Sequence, residues 1–153
     1  GQAKVLKEST PLEAREVIDS SFISVRQLCD FLEDEIKEAK ETEILFSLHL
    51  KATMMKVSDP IMFGHCIKVY YKDAFEKHGE TLKSIGANPN QGLTSIFESV
   101  STKCDEATAK QIMDDFEACY EDRPWLAMVN SDKGITNLHA PNDSKYKGER
   151  LKL

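Results

Sequence analysis

The apolar run "ILFSLHL" at residues 44–50 is the feature that most constrains what this chain of 153 residues can fold into. Its side chains alternate between two faces, and both faces are mostly apolar. Such a run is typical of a central strand that is covered on both sides. Two more strands are predicted from β-branched and aromatic content, at Glu16–Ile23 and Trp125–Asn130.

Apolar residues recur at helical spacing between these runs. Ser24 is predicted to cap a helix that runs to about Lys40, and Ser58 or Asp59 to cap a second helix that Gly79 ends. Strands that alternate with helices indicate an α/β fold, with layered helices around a small mixed, partly parallel sheet. Further helical pieces are predicted around Leu82, at Leu93–Val100 and at Asp105–Tyr120.

Composition and charge exclude several classes of protein. The length suits a single α/β domain over residues 1–143, followed by a polar, basic tail at 144–153 that shows no periodicity. The net charge of −6 argues against binding to nucleic acid or to an anionic membrane. No apolar run is long enough to span a bilayer, and no signal peptide is visible, which predicts a cytosolic protein.

The cysteines and histidines predict no metal site. Four cysteines occur without a C-x-x-C pair, and the four histidines are scattered along the chain. Cysteine at apolar helical positions behaves as a small core residue.

Polar side chains follow two of the predicted strands, at the edge where α/β proteins bind ligands. Lys51 could be a shielded lysine with a lowered pKa that moves a proton, although a solvated cation is the commoner case. Asp132 could bind a divalent cation, although an aspartate before Lys-Gly is usually part of a turn. The two polar sets are Lys51, Thr53 and Lys56, and Asn130, Ser131, Asp132 and Lys133.

Two longer blocks closely resemble the monomeric type of NADP-dependent isocitrate dehydrogenase. They are "LHLKATMMKVSDPIMFG" (48–64) and "LAMVNSDKGITNLH" (126–139), and "VLKESTP" (5–11) and "EVIDSS" (16–21) match in the same order. The resemblance implies oxidative decarboxylation of isocitrate to 2-oxoglutarate and CO2, with NADP as hydride acceptor and Mg²⁺ or Mn²⁺ as Lewis acid. It makes Lys51 the catalytic lysine that moves a proton at the substrate, supported by Lys56.

The sequence departs from the family after Asp143. The family has a metal-binding aspartate at the position of Lys147, and Asp132 and Asp143 match positions beside that ligand without replacing it. The resemblance therefore carries over no metal ligand and no cofactor-binding residue. The chain looks like an internal piece of the large domain of a longer enzyme, with a tail foreign to the family, and the isolated piece is expected to be inactive and to bind neither NADP nor metal.

An alternative is a non-catalytic folding or protein-interaction module. Its basic tail would then dock on an acidic partner through Lys145, Lys147, Arg150 and Lys152. A fragment cut from a larger sheet is also expected to self-associate through exposed sheet edges.

Overall fold

The computed structural model describes residues 3–19, 21–48, 50 and 55–126, and the regular secondary structure among them is helical. The predicted α/β fold with a small mixed sheet is therefore wrong for this part of the chain. Its only strand-like pairing is one parallel bridge between Phe46 and Leu126. The elements are α1 (Val25–Glu41), α2 (Ser58–Tyr70), α3 (Lys72–Ser84), a 3₁₀ turn (Pro89–Gln91), α4 (Leu93–Lys103) and α5 (Glu106–Asp122).

Two of the predicted strands are wrong for the same physical reason. A strand is stabilised by hydrogen bonds to neighbouring strands, and the described residues supply no such neighbours. The described residues of Glu16–Ile23 are exposed and form no strand, and Ile44–Leu50 contributes only the bridge at Phe46. Only the first two residues of Trp125–Asn130 belong to the described part. The described residues form no sheet, so they offer no sheet edge for the predicted self-association.

Helix α1 forms much as its sequence predicts. The Ser24 side chain accepts a hydrogen bond from the Gln27 N–H at 3.4 Å, which satisfies one of the free donors at the first turn. The buried face consists of Leu32, Ile36 and Ala39. Phe31, which also fits the apolar spacing, remains mostly exposed.

The predicted helix from Ser58 to Gly79 is instead two helices, α2 and α3, which break at Tyr71. Consecutive residues of a continuous helix point in different directions, so the break lets both Tyr70 and Tyr71 enter the core. Their ring centroids lie 4.8 Å apart, edge to face. Gly79 lies inside α3, which continues to Ser84, so the prediction that it ends a helix is wrong.

The core is aromatic where α2, α3, α4 and α5 meet. Phe116 of α5 packs its ring against those of Tyr71, Phe75 and Phe97, at centroid distances of 5.2–5.5 Å. Asp105 caps α5 by accepting from the Thr108 N–H at 2.9 Å, and this hydrogen bond lowers the pKa of the Asp105 carboxyl. The buried side chains of α4 and α5 are Leu93, Ile96, Val100, Ile112, Phe116 and Cys119.

Helices α1 and α2 lie side by side. Burial and, to a smaller extent, the neighbouring Cys29 on α1 together raise the pKa of the Cys66 thiol on α2 to about 11. Lys72 at the start of α3, just after α2, donates to the Glu33 carboxylate of α1 at 2.7 Å. Within the described part, no helix is long and apolar enough to cross a membrane.

Candidate functional site

The sequence-predicted site lies mainly outside the described residues. Lys51 and Thr53 fall in the stretch 51–54, and Asn130, Ser131, Asp132 and Lys133 fall in 127–153; the structure describes neither stretch. The predicted tail at 144–153 lies there as well. Lys56 is described, and it lies exposed in the turn that leads into α2.

The structure does bring together the starting points of the two motif blocks. The Phe46 N–H donates to the Trp125 carbonyl at 2.8 Å, and Phe46 and Leu126 form the parallel bridge. One block begins two residues after Phe46 and the other begins at Leu126. Because the bridge is parallel, both chains leave this point in the same direction.

Three helices hold residues 121–126 at this bridge. Lys40 of α1 donates to the carbonyls of Glu121 at 2.8 Å and Arg123 at 3.3 Å, which suits a cation at the carboxyl end of α5. The buried Tyr70 hydroxyl of α2 donates to the Pro124 carbonyl at 2.6 Å. These contacts fix the main chain from which the second block emerges.

A fourth contact comes from α3, where Asp73 pairs with Arg123 at 2.7 Å. The Arg123 side chain is mostly buried, whereas Asp73 is exposed. An ion pair with one solvated partner contributes little to stability. Its effect here is to orient Arg123 where α5 ends.

An open groove of about 240 Å³ lies beside the bridge. Its two cationic side chains, Lys40 and Arg123, are those that hold residues 121–126. The groove is therefore suited to positioning the motif blocks rather than to binding an anion of its own. It is lined by Ala39, Lys40, Glu43, Ile44, Arg123, Pro124 and Trp125.

One ionic cluster could not be predicted from the sequence. The Asp115 carboxylate of α5 contacts Nζ of Lys77 at 2.7 Å and Nε2 of His78 at 2.5 Å, and both partners lie on α3. These two hydrogen bonds lower the pKa of the Asp115 carboxyl. The sequence carries no signal for these contacts, because Asp115 is 37 positions from His78 and 38 positions from Lys77. The cluster links α3 to α5.

The described residues contain no group of three His, Cys, Asp or Glu side chains that could hold a metal ion. The four cysteines, all within this part, are free thiols. The described groove and bridge therefore present a scaffold for the motif blocks, without a metal-ligand set.

Comparison with known proteins assigns the chain to a family. The family model described as monomeric isocitrate dehydrogenase matches residues 1–145. The chain is 52% identical to the isocitrate dehydrogenase [NADP] of Azotobacter vinelandii and 47% identical to isocitrate dehydrogenase [NADP] 2 of Mycobacterium tuberculosis. Each comparison covers 143 residues, which are 94% of this chain but 19% of the relative. The chain spans about a fifth of the length of these relatives, and it belongs to the monomeric isocitrate dehydrogenase family.

Proposed function

We propose that this chain is a segment of an NADP-dependent isocitrate dehydrogenase, which oxidatively decarboxylates isocitrate to 2-oxoglutarate and CO2 with NADP as hydride acceptor. The identity of 47–52% to relatives of that name over 143 residues supports this function. The family description also suggests that the whole enzyme works as a single chain. The four free cysteines support a cytosolic location, where thiols stay reduced.

Lys51 is proposed as the catalytic residue, moving a proton at the substrate. The observation that favours this role is the parallel bridge, because it starts the Lys51 block and the block at 126–139 from one point. A lysine can act as acid or base when its surroundings lower its pKa toward the working pH. Lys56, which is exposed, would have a supporting role.

The metal site is proposed to lie elsewhere in the parent enzyme. Mg²⁺ or Mn²⁺ would act there as a Lewis acid on the substrate. The described residues do not fit such an ion, since they offer no group of three suitable ligands, and Lys147 occupies the position of the family's metal-binding aspartate. Lys51 alone cannot supply the carboxylates and the substrate clamp, so the isolated chain is expected to be inactive.

The test is a chimera in which residues 1–145 replace the matching segment of the Azotobacter vinelandii relative. NADP reduction with isocitrate and Mn²⁺ is then measured for the chimera and for the isolated chain. We expect turnover from the chimera and none above the blank from the isolated chain. An inactive but folded chimera would contradict the proposed function and favour the non-catalytic module.

The role of Lys51 is tested in the same chimera. Lys51→Met should lower kcat by roughly 10²–10⁴, the usual contribution of one proton-transfer group. Lys51→Arg keeps the charge but holds its proton at any working pH, so it should be impaired similarly. The matched control is Lys56→Met, five positions along, which should keep kcat within about tenfold. A Lys51→Met variant with unchanged kcat and pH profile would exclude Lys51 as the catalytic residue.

A further inference from the structure

The exposed apolar side chains of the described residues come from one part of the sequence. Every large hydrophobic side chain that is exposed there lies between Val5 and Phe63, and residues 64–126 contribute none. The helices α3, α4 and α5 thus bury their large apolar residues in the shared core, which Ile36 of α1 and Ile67 of α2 also enter. The first half of the chain leaves apolar surface uncovered.

Part of that surface is gathered at one end of α1 and α2. Lys40, near the end of α1, donates to the carbonyls of Glu121 and Arg123, and Tyr70, the last residue of α2, donates to that of Pro124. Both helices therefore finish at the same segment, 121–124. Because they lie side by side, with Cys29 of α1 beside Cys66 of α2, the start of α1 lies beside the first half of α2, away from that segment.

Five exposed apolar residues come from the starts of α1 and α2 and from the residues just before them, which we together call the apolar end. Val57, just before α2, is 76% exposed, and the other four are 43–57% exposed. Several large apolar side chains that are exposed on neighbouring elements mark a candidate interface. The apolar end consists of Ile23, Val25, Met55, Val57 and Ile61.

We propose that the apolar end is the docking surface for the part of the parent enzyme that lies outside residues 1–145. This inference rests on the proposed function. The relatives are about five times as long as the matched segment, so a large body of the same polypeptide is available to cover it. A second copy is disfavoured as the occupant, because the family is described as monomeric.

The location of the apolar end links it to the first motif block. Met55, Val57 and Ile61 all belong to the block at 48–64, which also contains Lys51 in the sequence. The body that covers the apolar end would therefore contact described residues of that block.

The experiment compares thiol labelling in the isolated chain and in the chimera with the Azotobacter vinelandii relative. Val57→Cys places a thiol at the apolar end, and Glu80→Cys places one on the exposed face of α3 as the matched control. Labelling rates are read residue by residue by peptide mass spectrometry, so the native cysteines do not interfere. We expect the thiol at position 57 to be protected at least about tenfold in the chimera, and the thiol at position 80 to react equally in both.

Equal labelling at position 57 in both proteins, or equal protection at both positions, would overturn the inference. Labelling of the isolated chain that slows as its concentration rises would overturn it in favour of a second copy. If the chimera does not fold, the same two substitutions at the matching positions of the Azotobacter vinelandii relative give the answer. NADP reduction by the same chimera reports on the proposed function separately, since an inactive chimera can still protect position 57 and an active one can leave it open.

Discussion

The two helical glycines Gly64 and Gly79 should respond to the same substitution with opposite signs. A Cβ added at Gly64 of α2 would lie 1.9 Å from Oδ1 and 3.0 Å from the main-chain nitrogen of Asn90. A Cβ added at Gly79 of α3 would meet nothing within 4 Å. Both residues lie within helices, where alanine is preferred over glycine by about 0.5–1 kcal/mol.

The expected magnitudes follow from these contacts. Gly79→Ala should raise the free energy of unfolding by about 0.5–1 kcal/mol, since only the helical preference changes. Gly64→Ala gains the same preference but incurs overpacking, which costs about 1–3 kcal/mol because the Asn90 main chain must also shift. The two variants should therefore differ by about 1–3 kcal/mol, which corresponds to roughly 3–10 °C in Tm for a chain of this size.

The assay is thermal and urea unfolding followed by far-UV circular dichroism, with both variants beside the wild type. Asn90→Ala, which removes the nearest clashing atom, should restore part of the stability lost in Gly64→Ala but leave Gly79→Ala unaffected. If Gly64→Ala were as stabilising as Gly79→Ala, the close approach of α2 to the 3₁₀ turn would be refuted.

Two further predictions concern the ties between helices. Tyr70→Phe should cost about 1–3 kcal/mol, because the buried Pro124 carbonyl loses this donor, and hydrogen exchange should accelerate at the bridge amide of Phe46. Tyr71→Phe, the adjacent buried control, should leave that amide unchanged, and equal acceleration in both variants would contradict the assignment. Asp115→Asn should flatten the loss of stability in acid, measured as the urea midpoint from about pH 6 to about pH 2. The folded pKa of Asp115 is lowered, so its contribution is present above the ordinary value of about 3.9 and is lost as pH falls through the folded value; an unchanged pH profile would exclude it.

Local signals in the sequence predict the helices in part. Ser24 caps α1 as predicted, because capping depends on a hydrogen bond to a residue three positions away. The predicted cap at Ser58 or Asp59 is wrong, since both residues lie inside α2, which begins without a side-chain cap. The break at Tyr71 is not predictable in this way. It depends on two adjacent tyrosines that share one core, and a core is a property of the whole fold.

Strands are predicted less well than helices, because whether an apolar run forms a strand depends on the neighbouring strands that the fold supplies. The run at 44–50 has the alternation of a central strand, yet Phe46 finds one main-chain partner, Trp125, across 79 positions of sequence. The proposed site likewise depends partly on the sequence and partly on the structure. Its lysine is identified by family resemblance, whereas the bridge that joins the two motif blocks could be found only from the structure.

The hydrogen bond from Lys40 to the Glu121 carbonyl has a consequence for the order of folding. It joins residues 81 positions apart, so it closes the chain from the end of α1 to the end of α5. Contacts between distant residues form late, because the entropy of closing a long loop must be lost first. We expect α1 to pack on α2, its neighbour in sequence, before this hydrogen bond forms. During synthesis, Lys40 therefore has no Glu121 carbonyl to bind until α5 has emerged.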